Sequence, residues 1–406
     1  MTKRSLITLI FLLTVFIDII AENCNVQNCR NIINSIHYEF FTTKYDIFGT
    51  TRGRGGAILI KDNYLIYGRA QNDFIRINID YFKKVIDVNS KTDINLNKIN
   101  STNYEKNFLP NIITNFEALK QSKRYLYKEF EPKIEGLIFH NGYYYCTYEK
   151  YEVDTDDIYF VLAKIKLGQK NWTEIYKTPP LKAPYLAMGT GGKMVVRGDI
   201  IYFTVGDFSL DRINGLPNDL ASQNPKLPWG KVMAIDVNNL NGAFVYSIGH
   251  RNPQGLLVLK DGRILESEHG PKGGDELNFI TKGGNYGWPF TSYGTKYNSF
   301  EEYNKDIQSP KINSKFIEPL FAFLPDAGIT NLIQINNFKE KWQQDIVMGS
   351  LKAESIYRIR ISSDRVIFSE QIYLGYRIRE LAEHGKSIFM LTDDGAILKM
   401  DPIITQ

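Results

Sequence analysis

The sequence predicts an all-β chain folded as a six-bladed β-propeller of four-stranded antiparallel blades. Two observations carry this expectation. Strand-like runs recur as pairs joined by Asn-Gly, Asp-Gly or Gly-Asp turns, the local chemistry of hairpins. These units return six times at intervals of roughly 40 to 60 residues, the mark of radial repetition. A pair of β-sandwiches would need a linker, and no Pro/Ser-rich stretch divides the chain. A ring in which each blade shields its neighbours' edges accommodates all six units.

The units follow in order. Runs 56–60 and 64–68 flank a Lys61-Asp62-Asn63 turn, with 74–79 as a third strand. Runs 136–139 and 143–148 flank Asn141-Gly142, followed by 158–166. Runs 193–196 and 200–205 flank Gly198-Asp199, with 231–236 outside them. The fourth unit pairs 256–259 with 263–267 across Asp261-Gly262 and adds 276–280. The fifth comprises 332–335, 345–349, 355–361 and 365–369. The sixth comprises 378–382, 387–391 and 396–400.

The 406 residues are 43% hydrophobic and 13% aromatic, as in a folded protein, and the net charge of +4 gives no support to a nucleic-acid partner. Lys3 and Arg4 precede an apolar run at 6–20 and then Ala21, which reads as a signal peptide over 1–21 and predicts secretion. That run contains Asp18 and is short for a membrane span, and no later stretch is apolar enough to replace it. Residues 22–50 are expected to form an N-terminal segment in which Cys24 and Cys29 can pair. The propeller is expected over 51–403 with an insertion at about 83–128 and a polar loop at 293–315. Cys146, in an aromatic run, is expected to be a buried and inert thiol. Sequons at Asn100 and Asn171 fit a secreted glycoprotein.

Residues 249–289 concentrate the chemistry: two of the five histidines, the pair Arg251-Asn252 and nine glycines, which can bring backbone close to a ligand. The motifs GHRNPQG (249–255), EHGPKGGDE (268–276) and GGNYGWP (283–289) resemble, in order and spacing, those of the glucose/sorbosone dehydrogenase family. Weaker similarity extends to GLIFH (136–140), YFTVGD (202–207), GSLK (349–352) and RIR (377–379). The resemblance implies a six-bladed propeller that oxidises a sugar (aldose) hydroxyl using pyrroloquinoline quinone and Ca²⁺. It implies cofactor contacts from Arg251, Asn252, Lys352, Arg377 and Arg379, a cationic set suited to the quinone's carboxylates. It also implies Ca²⁺ ligation by the backbone carbonyls of Gly270 and Pro271, and an orienting carboxylate at Asp207 with Asp275 nearby.

Two departures stand against a working site. Where the family has a general-base histidine, this chain reads Ala187-Met188-Gly189-Thr190-Gly191-Gly192-Lys193, so Met188 or Gly189 occupies its place. His269, beside the Gly270 and Pro271 carbonyls, is the available substitute. In the segment 321–331, Phe323 is the candidate to pack over a cofactor ring. The alternative reading is therefore a catalytically impaired propeller that binds a sugar or an extracellular protein as a ligand.

Overall fold

The computed structural model describes residues 31–34, 39–47, 55–69, 73–82, 98–99, 102–112, 121, 133–181, 189–211, 220–240, 242–303 and 316–403. Six antiparallel sheets follow one another along the chain. Their inner strands are Gly56–Lys61, Ile134–His140, Gly191–Arg197, Pro253–Val258, Ile329–Gln334 and Ile378–His384. Each packs against the next, and the sixth packs against the first, so the ring closes. This is the expected six-bladed propeller.

The apolar runs form strands because both faces of every blade are covered. Six hydrophobic clusters fill the six junctions between neighbouring blades. Between blades two and three, Phe160 and Phe203 lie parallel with ring centroids 6.2 Å apart, both fully buried. Cys146 is a free, buried thiol in the junction of blades one and two, and burial pushes its pKa well up, so it is inert as expected. Blade four shows the common register: Pro253–Val258 pairs with Ile264–Glu268, which pairs with Asp275–Ile280, which pairs with Phe321–Phe323.

The sixth blade corrects the expected boundary at residue 51. Its fourth strand is Glu39–Ile47, paired antiparallel with Ile397–Pro402 from Phe40↔Pro402 to Tyr45↔Ile397 and flanked on its other side by Asn31–Asn34. Chain start and chain end are thus joined in one sheet. Phe40 is fully buried, with its ring 5.0 Å from Trp342 and 5.6 Å from Phe338, so the strand carries core side chains of the blade five/six junction. The expected insertion at 83–128 also supplies a blade strand, Tyr104–Lys106, on the outer edge of blade one. The signal segment, Cys24, Cys29 and Asn100 lie outside the described residues.

If the N-terminal strand closes the ring, Phe40→Ala should destabilise the fold by about 3–5 kcal/mol, the usual loss for a buried aromatic. Urea denaturation followed by tryptophan fluorescence measures this, and a loss below about 1 kcal/mol would show that the strand is an accessory.

Candidate functional site

Within each blade the inner strand begins where the second strand ends, as when Pro253 lies opposite Glu268. The loops before inner strands and after second strands therefore share one end of the ring. This brings together residues far apart in sequence: 189–190, 206–208, 250–252, 269–274, 326–328, 351–353, 377 and 393.

Arg251 is buried at this rim. Its Nη1 donates to the carbonyls of His269 (2.9 Å) and Gly270 (2.5 Å), its Nη2 meets Tyr297 Oη at 3.2 Å, and its guanidinium lies 5.3 Å from the Trp288 ring. Its Nε–H is buried with no acceptor among the described residues. Tyr297 and Trp288 were not among the site residues expected from sequence. Tyr297 sits in the polar loop, which folds back through the bridges Lys272↔Thr295 and Thr295↔Glu302.

Asp275 anchors the next stretch of rim. One carboxylate oxygen accepts the Gly270 N–H at 3.1 Å, and the other accepts those of Ala327, Gly328 and Ile329 at 3.0, 2.6 and 3.3 Å. It is thus a clamp between two loops. Lys352 donates its backbone N–H to Ala327 and pairs through its exposed ammonium with Asp326 at 2.5 Å. Arg377 reaches the Leu351 carbonyl at 3.4 Å and shares Asp393 with Arg379, at 2.8 and 2.6 Å. Burial raises the Asp393 carboxyl, but the two guanidiniums outweigh this and hold it below the usual carboxylate range. Arg379 in turn acts electrostatically on both His269 and Glu135. The expected cationic set therefore lines one continuous arc.

His269 is held as a fixed strut. Its Nε2 faces the Ile329 carbonyl at 2.5 Å and so carries the proton, and its Nδ1 faces the Asn252 amide at 3.4 Å. Burial lowers its pKa, with Arg251 adding to the effect and Asp275 opposing it. Asn252 also accepts from Gln254 at 2.8 Å. Asp207, fully buried, accepts the Ser209 N–H at 2.9 Å and the Trp288 indole N–H at 3.0 Å. Phe323 does not reach the rim: it packs edge-on against Phe321 and Tyr357 in the blade four/five core.

The glycines serve loop-on-loop packing more than approach to a ligand. A Cβ on Gly249, where φ is +80°, would meet the Asn285 side chain at 2.4 Å, and one on Gly270 would meet the Gly274 carbonyl at 2.2 Å. Gly189, at the place of the expected base, has φ of +72° and bonds through its carbonyl to the Phe208 N–H. Met188 lies outside the described residues.

Beside Gly189 stands a pair of acids that the sequence did not advertise. Thr190 Oγ1 of blade three donates to Glu135 Oε1 at 3.0 Å, and Glu135 lies beside Glu149 on the neighbouring strand of blade two. Neither carboxyl oxygen of fully buried Glu149 has a donor among the described residues. Burial, then Glu135, pushes the Glu149 carboxyl well above its usual range. Burial also acts to raise Glu135, but the Lys133 and Lys193 ammoniums outweigh it, so Glu135 stays ionised. Glu149 is the partner that keeps its proton.

A raised folded-state pKa contributes stability that is fully present below the ordinary value of 4.5 and is lost as pH rises through the folded value. Glutamine cannot titrate. Glu149→Gln should therefore gain stability relative to wild type between about pH 5 and about pH 8. Urea midpoints for both proteins at the two pH values test this; a difference that does not change with pH would contradict a raised Glu149 carboxyl.

A family profile described as Glucose / Sorbosone dehydrogenase matches residues 138–399. The aldose sugar dehydrogenase YliI of Escherichia coli (strain K12) is 31% identical over 171 residues, covering 39% of this chain and 44% of that protein. Quinoprotein glucose dehydrogenase B of Acinetobacter calcoaceticus is 37% identical over 120 residues, covering 24% and 25% respectively. The matched stretches thus span less than half the length of these relatives. The soluble aldose sugar dehydrogenase of Escherichia coli in its apo form aligns with a TM-score of 0.63 at 17% identity, over 92% of this chain and all of that one. The quinone-bound aldose sugar dehydrogenase of Streptomyces coelicolor aligns with a TM-score of 0.55 at 18% identity, over 92% and 98%. These structural likenesses carry the fold.

Proposed function

The chain belongs to the glucose/sorbosone dehydrogenase family, and on that premise we propose that it is a secreted sugar (aldose) dehydrogenase dependent on pyrroloquinoline quinone and Ca²⁺. The observation that carries the reading is the arc of Arg251, Lys352, Arg377 and Arg379 around one rim, with a buried Arg251 N–H that lacks an acceptor among the described residues. A small anion with several carboxylates fits such a set, because guanidinium donors bind carboxylates through charge-assisted bonds. Relatives named for quinone-dependent sugar oxidation support the choice of anion. The basic N-terminus with its apolar run supports secretion.

When bound, the quinone supplies the acceptor for the hydride of a sugar alcohol, and a hard cation at the Gly270 and Pro271 carbonyls would polarise it. Arg251 holds the Gly270 carbonyl and offers Nε to the ligand. Asn252 offers its amide from the same loop, while Lys352, Arg377 and Arg379 close the other side. Asp326 and Asp393 temper the positive charge. The proton of the sugar hydroxyl needs an acceptor, and Gly189 provides no side chain. Glu135 takes that role in this proposal: it is ionised, is held by the hydroxyl of Thr190, and lies beside a Glu149 that keeps its proton. His269 does not, since its Nε2 is committed to Ile329 and its Nδ1 to Asn252. The absence of a histidine at Met188 and Gly189 also favours a second reading, a propeller that binds the quinone or a sugar without turnover.

Reconstitution with the quinone and Ca²⁺, followed by dye reduction over a panel of aldoses, decides between the two. The enzyme reading expects turnover that falls by ~10²–10⁴ in Glu135→Gln while calorimetry shows quinone binding unchanged. Tight quinone binding with no turnover would establish the binding module, and Gly189→His should then install the missing base. No binding of the quinone would overturn the enzyme reading, and no binding of either the quinone or any sugar of the panel would overturn both.

A further inference from the structure

We propose that the buried face of blade four holds a structural divalent transition-metal ion, of the zinc class, between His250, Glu266 and Glu268. Residues 266 and 268 alternate along one strand and so share a face. Across the ladder, Asn278 lies opposite Glu266 and Glu276 opposite Glu268. His250 arrives from the loop before the inner strand. The ligand atoms of His250, Glu266 and Glu268 all lie within 4.8 Å of one another, and all three residues are buried.

The electrostatics call for a positive charge. Three carboxyls meet here, and among the described residues neither Glu266 nor Glu276 has a basic partner. What answers them is a single amide: Asn278 Nδ2 lies 3.1 Å from Glu266, 3.2 Å from Glu268 and 3.4 Å from Glu276. Glu266 Oε1 and Asn278 Oδ1 are buried with no partner among the described residues. Turning the Asn278 amide over would bring its oxygen among the carboxyls as a fourth ligand.

Two of the three principal ligands, His250 and Glu268, are also supported from behind. His250 Nε2 meets Ser247 Oγ at 2.8 Å, so the ring can present Nδ1 to the ion, and Tyr286 stacks on it at 4.7 Å. Glu268 uses its other oxygen to accept the Arg251 N–H at 2.8 Å. Outer partners of this kind orient metal ligands and fix the histidine tautomer. One imidazole nitrogen with two carboxylates and an amide oxygen suits zinc better than calcium, which prefers an all-oxygen shell. The proposed Ca²⁺ at Gly270 and Pro271 is therefore a different site, and the present proposal stands whether or not the chain binds a quinone. The ion would pin the loop that carries Arg251 onto blade four.

Without an ion, protons must relieve the same charge, and the two cases separate by elemental analysis. Full-length protein, purified without chelator and supplemented with Zn²⁺, should retain about one equivalent per chain after desalting. Glu266→Gln should drop the content at least about tenfold, and Zn²⁺ should raise the melting temperature of EDTA-stripped wild type but not of the variant. Ca²⁺ should not replace it. Should Glu266→Gln fail to fold, zinc X-ray absorption on wild type reads the shell directly: one nitrogen and several oxygens at about 2.0–2.2 Å support the site. Wild type that keeps no zinc, a Glu266→Gln variant that keeps all of it, or a sulfur-containing shell overturns the proposal.

Discussion

The ring is tied across its axis by one ammonium. Lys193, buried on the inner strand of blade three, donates to the Glu135 carbonyl of blade two at 2.6 Å and pairs with the Glu380 carboxylate of blade six. Glu380 also accepts from Asn331 of blade five at 2.5 Å. Four blades therefore meet through a single charge. Burial raises the Glu380 carboxyl, with Lys193 opposing, so neither partner is comfortable alone. Removing one member of such a pair typically costs about 3–5 kcal/mol. The same lysine helps to keep Glu135 ionised, which couples the geometry of the axis to the chemistry at the rim.

The three inward strands of each blade were legible because their information is local. Tyr64–Arg69 and Ile200–Val205 are apolar runs beside tight turns, and each pairs with its neighbour in sequence. The outer strands were harder to see. Glu39–Ile47 finds its partner at the opposite end of the chain, and Tyr104–Lys106 is only three residues long. Nothing in either stretch signals its partner. Phe40 and Tyr45 could have suggested a covered strand, but not which sheet would take it.

At the site, motifs located Arg251, Lys352, Arg377 and Arg379, and the fold puts them on one rim. Their partners were not legible. Tyr297 reaches Arg251 from a loop 46 residues away, and Asp275 turns out to hold backbone amides from two loops. Glu135 and Glu149 looked like ordinary polar residues on two strands. Only the close approach of blade three, where a Cβ on Gly192 would strike Glu135 Cβ at 2.2 Å, makes them a buried pair. Sequence shows which groups are present; the proximity that changes their chemistry arises from packing.

The strand Glu39–Ile47 also imposes an order of events during synthesis. Its blade partner, Ile397–Pro402, is synthesised only after the other five blades. Until then the N-terminal strand can pair only with Asn31–Asn34 and Lys98–Ile99, and the edge it offers to blade six waits while five blades take shape beside it. Blade six is thus the last of the six to assemble, and emergence of Ile397–Pro402 is the event that lets the circle shut. A chain interrupted late in translation would be left as an open arc with two unprotected ends, the kind of surface that chaperones and proteases recognise.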